Sequence, residues 1–176
     1  MEPSEKVVES YFRFMYRYFT IPNLRCKGQK EVDLIGMRSN NGSIEKIHVE
    51  VSVTTSGEFG KLNAKPYSPE LKKTRSGSAS ERVKIGYFDE EKFNHPDVIA
   101  TLKEYGFDES KYQKIIVAWD WEVDVEPIAK EKAIRLVRFK DILQKMQDKF
   151  GKETAYYSDD TVRLLQLLKK SEMKNP

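Results

Sequence analysis

The sequence predicts an α/β fold in which helices flank a central mixed β-sheet, in a single domain spanning residues 1–176. Three observations predict it. Residues 31–38 and 44–54, EVDLIGMR and IEKIHVEVSVT, alternate as half-buried strands do, with the hairpin dipeptide Asn41-Gly42 between them. Two later apolar runs, KIIVAWDW at 114–121 and AIRLVRF at 133–139, supply further strands. Segments of helical periodicity stand before, between and after these strands.

Taken in order, SEKVVESYFRFMYRYF predicts a helix over 4–19, with Ser4 as its cap and Val8, Tyr11, Phe12, Met15 and Phe19 in one stripe. Pro22 ends it. Residues 55–80, rich in Ser, Gly, Thr, Lys and Pro, predict a long basic loop, of the kind that in a compact domain is functional or disordered. A helical region starts near Ser80. Another helix follows Asn94 or His95, with Pro96 in its first turn and Gly106 after its last. A short helix covers 126–132, and helices fit 140–150 and 160–172, the last within a C-terminal segment, 158–176.

Composition narrows the function. No run approaches the roughly 18 apolar residues of a membrane span, so no membrane partner is expected. The N-terminal MEPSEKVVES lacks a signal-peptide pattern, and the expected compartment is a reducing cytoplasm. The single cysteine, Cys26, excludes an intramolecular disulfide and a cysteine-rich zinc site, and it has no recognisable triad partners. No phosphate-binding loop, dinucleotide fingerprint or GxSxG elbow is present. Positive charge is local: residues 61–84 hold seven basic and two acidic residues, +5, against +3 for the whole chain. Such a segment suits a phosphate-facing loop, or a solvated one.

The hairpin can be registered by arithmetic. With Asn41 and Gly42 as the two loop residues, opposed residues sum to 83, which sets Asp33 against Glu50, Glu31 against Ser52 and Ile35 against His48. The other face pairs Val32 with Val51 and Leu34 with Val49. Directly opposed side chains have Cβ atoms about 4.5–5.5 Å apart, where two ionised carboxylates repel. A hard divalent cation offsets that repulsion, and Mg²⁺ is commonly held by one or two carboxylates plus water and phosphate.

The segment from Gln29 to Thr54, with EVDLIG followed by HVEVSVT, resembles the PD-(D/E)xK nuclease superfamily, most closely its Holliday-junction-resolvase and Mrr-like restriction-endonuclease branches. The resemblance implies a restriction-endonuclease-like core and a metal-dependent nuclease that hydrolyses DNA, duplex or branched, through Mg²⁺ (or Mn²⁺). Asp33 matches the motif aspartate and Glu50 the first acid of the tripeptide. Glu9 matches the acid often supplied by the preceding helix, with Glu5 as its alternative, so Glu9, Asp33 and Glu50 are the expected metal ligands. Resolvase-like relatives are often dimers, so a homodimer is implied, with 160–172 available to mediate it.

The chain departs from the motif at Ser52, which stands where the catalytic lysine belongs. Serine brings a hydroxyl but no positive charge. Either a lysine reaches in from elsewhere or the site is impaired. Lys61 and Lys65 on the following loop are best placed, Arg82 and Lys84 next, while the parity of Lys30 puts it on the apolar face. The expected catalytic set is therefore Asp33, Glu50, Ser52 and Lys65. Lys61, Lys65, Lys72, Lys73, Arg75, Arg82 and Lys84 are expected to meet the DNA backbone. Gln29 reads as a turn residue and His48 as a peripheral one. The competing expectation is a catalytically impaired protein of nuclease fold that binds DNA or serves as an assembly module.

Overall fold

The computed structural model describes residues 2–53, 61–73, 78–108 and 111–172. Residues 55–60 and 74–77 of the loop expected over 55–80, Arg75 among them, and the tail after residue 172 lie outside the described residues. Five strands form one mixed sheet in sequential order: β1 (Phe19–Arg25), β2 (Glu31–Asn40), β3 (Ser43–Ser52), β4 (Gln113–Ala118) and β5 (Ile134–Arg138). β1, β2 and β3 make an antiparallel meander, and β4 and β5 continue parallel to β3. One end of the sheet therefore gathers the carboxyl ends of β3, β4 and β5 and the amino end of β2.

The β2–β3 turn follows from its dipeptide. Asn41 and Gly42 both take positive φ, 47° and 81°, as a type I′ turn requires, and the register runs from Asn40–Ser43 to Leu34–Val49. Beyond Leu34 the strands part. Val32 leaves the face expected of it and packs with Leu24, Ile35, Val98, Leu102 and Phe107, while Leu34 stays with Ile47 and Val49 on the other side. The β1–β2 ladder is interrupted at the same level: Pro22 pairs with Leu34 and Leu24 with Val32, but Asn23 between them takes φ 48°. Asp33 is thus released from regular pairing on both sides.

Helices cover both faces. Against Leu34, Ile47, Val49, Ile115 and Val117 lie α1 (Pro3–Ser10), its π-helical continuation Tyr11–Met15, α7 (Phe139–Phe150) and α8 (Asp160–Glu172). The opposite face carries α4 (Ile85–Tyr87), a π-helical turn Phe88–Phe93, α5 (Pro96–Glu104) and α6 (Val125–Glu131). Two short helices, α2 (Pro69–Lys72) and α3 (Ser78–Glu81), interrupt the expected loop, and Leu62 and Asn63 bridge to Trp121 and Lys84.

The helix expected over 4–19 is shorter than its periodicity suggests. The chain turns at Arg17, whose φ is 59°, and the segment after it becomes the edge strand β1, with Phe19 exposed instead of buried in a helical stripe. Pro22 marks an edge-strand position, where a missing N–H is tolerated, and not merely the end of a helix. No helix among the described residues is long and apolar enough to cross a membrane.

Candidate functional site

Asp33, Glu50 and Lys92 converge at the carboxyl end of β3. The Lys92 ammonium lies 2.6 Å from Glu50 Oε2 and 3.3 Å from Asp33 Oδ1, and donates to the Glu31 carbonyl at 2.8 Å. It thus donates to Glu31 and Asp33 and forms a close ion pair with Glu50. Asp33 is held by its other oxygen: with the strands parted, Oδ2 accepts the Val51 N–H at 2.7 Å, replacing a ladder bond. Glu50 is fully buried, and its Oε1 lies 2.8 Å from His48 Nε2.

These contacts set the charges. Burial and the neighbouring Glu50 push the Asp33 carboxyl up to about 7, against the pull of Lys92 and the Val51 N–H. Burial also raises Glu50, opposed by Lys92 and by hydrogen bonds from Asp33. Burial alone would lower Lys92, but Glu50 and Asp33 outweigh it and hold the ammonium above the usual lysine range. Burial, aided by Lys92, drives His48 down to about 3, so its ring is neutral. A neutral imidazole at 2.8 Å from a carboxylate oxygen donates from Nε2, which leaves Nδ1 a buried acceptor without a partner.

Asp33 and Lys92 line a polar cleft of about 510 Å³, with Glu5, Gln29, Glu31 and Arg82 among its other walls, and Glu50 lies buried behind them. Asn23 ties two of its acids together, donating to Glu5 Oε2 at 3.1 Å and to Glu31 Oε1 at 2.8 Å. Glu91 closes one side: it accepts from Lys30, from Lys72 at 2.7 Å and from the Tyr67 hydroxyl at 2.9 Å. Although burial opposes it, this set of donors lowers the Glu91 carboxyl to about 2. The clamp fixes the 61–73 segment against the π-helical turn that carries Lys92.

The residues read from sequence divide into those at the cleft and those away from it. Asp33 and Glu50 meet through Lys92, although the β2–β3 ladder stops one pair short of them. Glu9 lies elsewhere. It is buried against Lys6 at 2.8 Å and Thr20 at 3.1 Å, on the α1–β1 side, because its position on the helix turns it from the sheet end. The alternative acid, Glu5, lines the cleft. Ser52 sits opposite Ala118 in the parallel ladder. Lys61 and Lys65 are exposed and outside the cleft wall, so the ammonium beside the acids comes from neither of them. Lys84 is spent on Glu81 and the Pro66 carbonyl, and Lys72 on Glu91. Lys73 and Arg82 are exposed, Arg82 at the cleft. Lys30 leaves the face its parity assigned, to reach Glu91.

Sequence reasoning missed Lys92 and misplaced His48. Nothing local in YFDEEKF singles out Lys92, whose Asp33 partner is 59 residues away. A π-helical turn, a frequent mark of functional positions, sets it between Glu91 and the buried Phe93, and its spacing escapes a 3.6-residue pattern. His48 reads as peripheral because its cover, Phe93 and Tyr112, comes from later elements.

Two convergent carboxylate oxygens of raised proton affinity are a donor set that suits a hard cation. Among the described residues no group of three or more His, Cys, Asp or Glu side chains is arranged to hold a metal ion, so such a cation would complete its shell with water or phosphate. Comparison of the chain with protein-family models, with curated proteins and with solved structures finds no match.

Proposed function

We propose that this protein is a metal-dependent nuclease of restriction-endonuclease-like fold, acting on DNA. The observation that carries the reading is the acid–acid–lysine trio, Asp33, Glu50 and Lys92, at the carboxyl end of β3. The order of helix, three-stranded meander, helices and parallel strand supports it, since the resemblance at residues 29–54 implies that core. Lys92 takes the part of the lysine that Ser52 cannot play. Asp33 and Glu50 would hold Mg²⁺ or Mn²⁺, with Glu5 as a further acid at the cleft.

When bound, the cation supplies an acidified water and neutralises charge on the scissile phosphate. The chain's own residues prepare for this. The Val51 N–H holds Asp33 Oδ2, and Asp33 Oδ1 and Glu50 Oε2 turn to the same point at Lys92. Lys92 keeps the empty pair from repelling, and its ammonium is placed to orient water or contact phosphate once the acids are otherwise neutralised. A homodimer through α8, whose Leu164, Leu167 and Leu168 are exposed, belongs to the same reading and is tested by sedimentation.

Cleavage of duplex, flap and branched DNA with Mg²⁺ or Mn²⁺ is the test. Asp33→Asn and Glu50→Gln should each abolish cleavage and spare DNA binding measured without metal, and Lys92→Met should lower the rate by about 100-fold or more, as loss of a transition-state contact does. Cleavage that survives all three changes removes the proposal. One observation favours a second reading. The Lys92 ammonium is engaged by the Glu31 carbonyl and charge-compensated by Asp33 and Glu50, as a permanent counter-ion would be in a nuclease-fold protein that only binds DNA. Binding without cleavage of any of these substrates would decide for it.

A further inference from the structure

His48 neither lines the cleft nor touches Lys92's ammonium, yet it is among the most enclosed side chains of the site. None of its surface is exposed, and its Nε2 lies 2.8 Å from Glu50 Oε1. Its ring meets the edge of Phe93 at a centroid distance of 4.7 Å and an interplanar angle of 69°. Phe93 adjoins Lys92 in the π-helical turn and is itself fully buried. One imidazole therefore touches both halves of the site: the acid on β3 through a hydrogen bond, and the lysine's turn through packing.

The position is costly for a histidine. Nδ1 is buried with no hydrogen-bond partner, and a leucine would fill the apolar space between Phe93 and Tyr112 without leaving a polar atom unpaired. What leucine cannot do is donate to Glu50. Without that bond Glu50 keeps Lys92 and Asp33 on its cleft side but loses the partner that holds Oε1 from the other side.

We propose that His48 is a positioning residue: its Nε2–H holds Glu50 Oε1, so that Oε2 faces Lys92 and Asp33 behind the cleft wall here, and the divalent cation in the nuclease reading. The proposal rests on that reading for the cation and on the contact geometry for the bond. Removing a partner that orients a metal-binding side chain commonly weakens metal affinity or activity by about 10–100-fold.

The experiment measures Mn²⁺ affinity of the full chain without DNA, together with kcat and KM for cleavage, in H48L, H48N and H48Q. Glutamine places its amide nitrogen near the position of Nε2, and asparagine does not reach it. H48L and H48N should bind Mn²⁺ about 10–100-fold more weakly than wild type, with kcat reduced and KM for DNA unchanged, while H48Q recovers to within about threefold. If H48L fails to fold, the contrast between H48Q and H48N carries the same information. Nitrogen chemical shifts of the wild-type ring should report the Nε2–H tautomer. A folded H48L or H48N that binds Mn²⁺ like wild type, or an Nδ1–H tautomer, overturns the positioning role alone. A wild-type protein that binds no Mn²⁺ overturns the metal reading and the positioning role with it.

Discussion

Asp33 holds a proton more tightly in the folded chain than in the unfolded one, with its carboxyl near 7 against an ordinary 3.8. The folded state therefore binds more protons across that interval, and stability falls as pH rises from about 4 through about 7. His48 acts with the opposite sign. Its ring, near 3 in the fold and 6.5 when free, binds fewer protons in the folded state, so stability falls as pH drops from 6.5 toward 3. The two slopes oppose each other between about 4 and 6.5, and above 6.5 the Asp33 slope stands without His48. Wild type should thus lose melting temperature from pH 6.5 to 8, and Asp33→Asn, neutral throughout, should lose less; parallel curves would mean that Asp33 is already ionised at pH 6.5. Mn²⁺ competes with the same proton, so its affinity should rise across this window. Lys92 is the complementary case. Lys92→Met leaves two buried acids without their cation, and removing one partner of a buried pair costs about 3–5 kcal/mol, measurable by urea unfolding. Adding Glu50→Gln to that variant should recover part of the loss, because it removes one of the stranded charges. A Lys92→Met protein as stable as wild type would show that the ion pair contributes nothing to the fold.

Hairpin β2–β3 shows what local chemistry settles. Its turn, its register from Asn40–Ser43 to Leu34–Val49 and the convergence of Asp33 and Glu50 were legible, because Asn41-Gly42 fixes the loop and period-2 alternation fixes the faces. A test follows at the turn itself. Gly42 has φ 81°, and a Cβ added there would meet no atom within 4 Å, so Gly42→Ala carries only a conformational cost. That cost should be about 1–2 kcal/mol by urea unfolding, with the Asp33–Glu50–Lys92 site unchanged. A neutral substitution would mean that the turn relaxes to another type. Alternation failed where a third element intervenes. Val32 obeys the period but not the face, since Asn23 and Asp33 interrupt the two ladders and α5 offers it an apolar bed. Pro22 read as a breaker because nothing in its own stretch says that β1 is an edge. The choice between Glu5 and Glu9 depends on how α1 is rotated over the sheet, which the helix pattern leaves open by one turn. Lys92 and the burial of His48 depend on the π-helical turn folding back over β3, a contact with no local signature.

At the scale of the whole molecule, the basic segment is a poorer DNA surface than its composition suggests. Of the seven basic residues between 61 and 84, two have internal duties. Lys84 pairs with the buried Glu81 and caps the Pro66 carbonyl, and Lys72 completes the Glu91 clamp. Lys61, Lys65, Lys73 and Arg82 are exposed, and Arg75 lies outside the described residues. Each phosphate neutralised contributes about −0.9 to the slope of log affinity against log salt, so five such contacts allow a slope no steeper than about −4.5. The cleft brings little positive potential of its own, because Lys30 and Lys72 are compensated by Glu91, and Lys92 by Asp33 and Glu50. Binding should therefore strengthen when Mn²⁺ occupies the acids, since the cation adds the charge that these lysines cannot. The segment's two classes of cation also separate experimentally. Neutralising Lys61, Lys65, Lys73 or Arg82 should flatten the salt slope by up to about 1 each and leave the melting temperature unchanged. Lys84→Gln and Lys72→Gln should do the reverse, lowering stability while leaving the slope alone, with Lys84→Gln the more damaging because it strands a buried carboxylate. If instead Lys84→Gln flattens the slope at full stability, the ion pair with Glu81 opens on binding and the whole segment rearranges around DNA. If no variant changes the slope, the DNA surface lies elsewhere on the molecule.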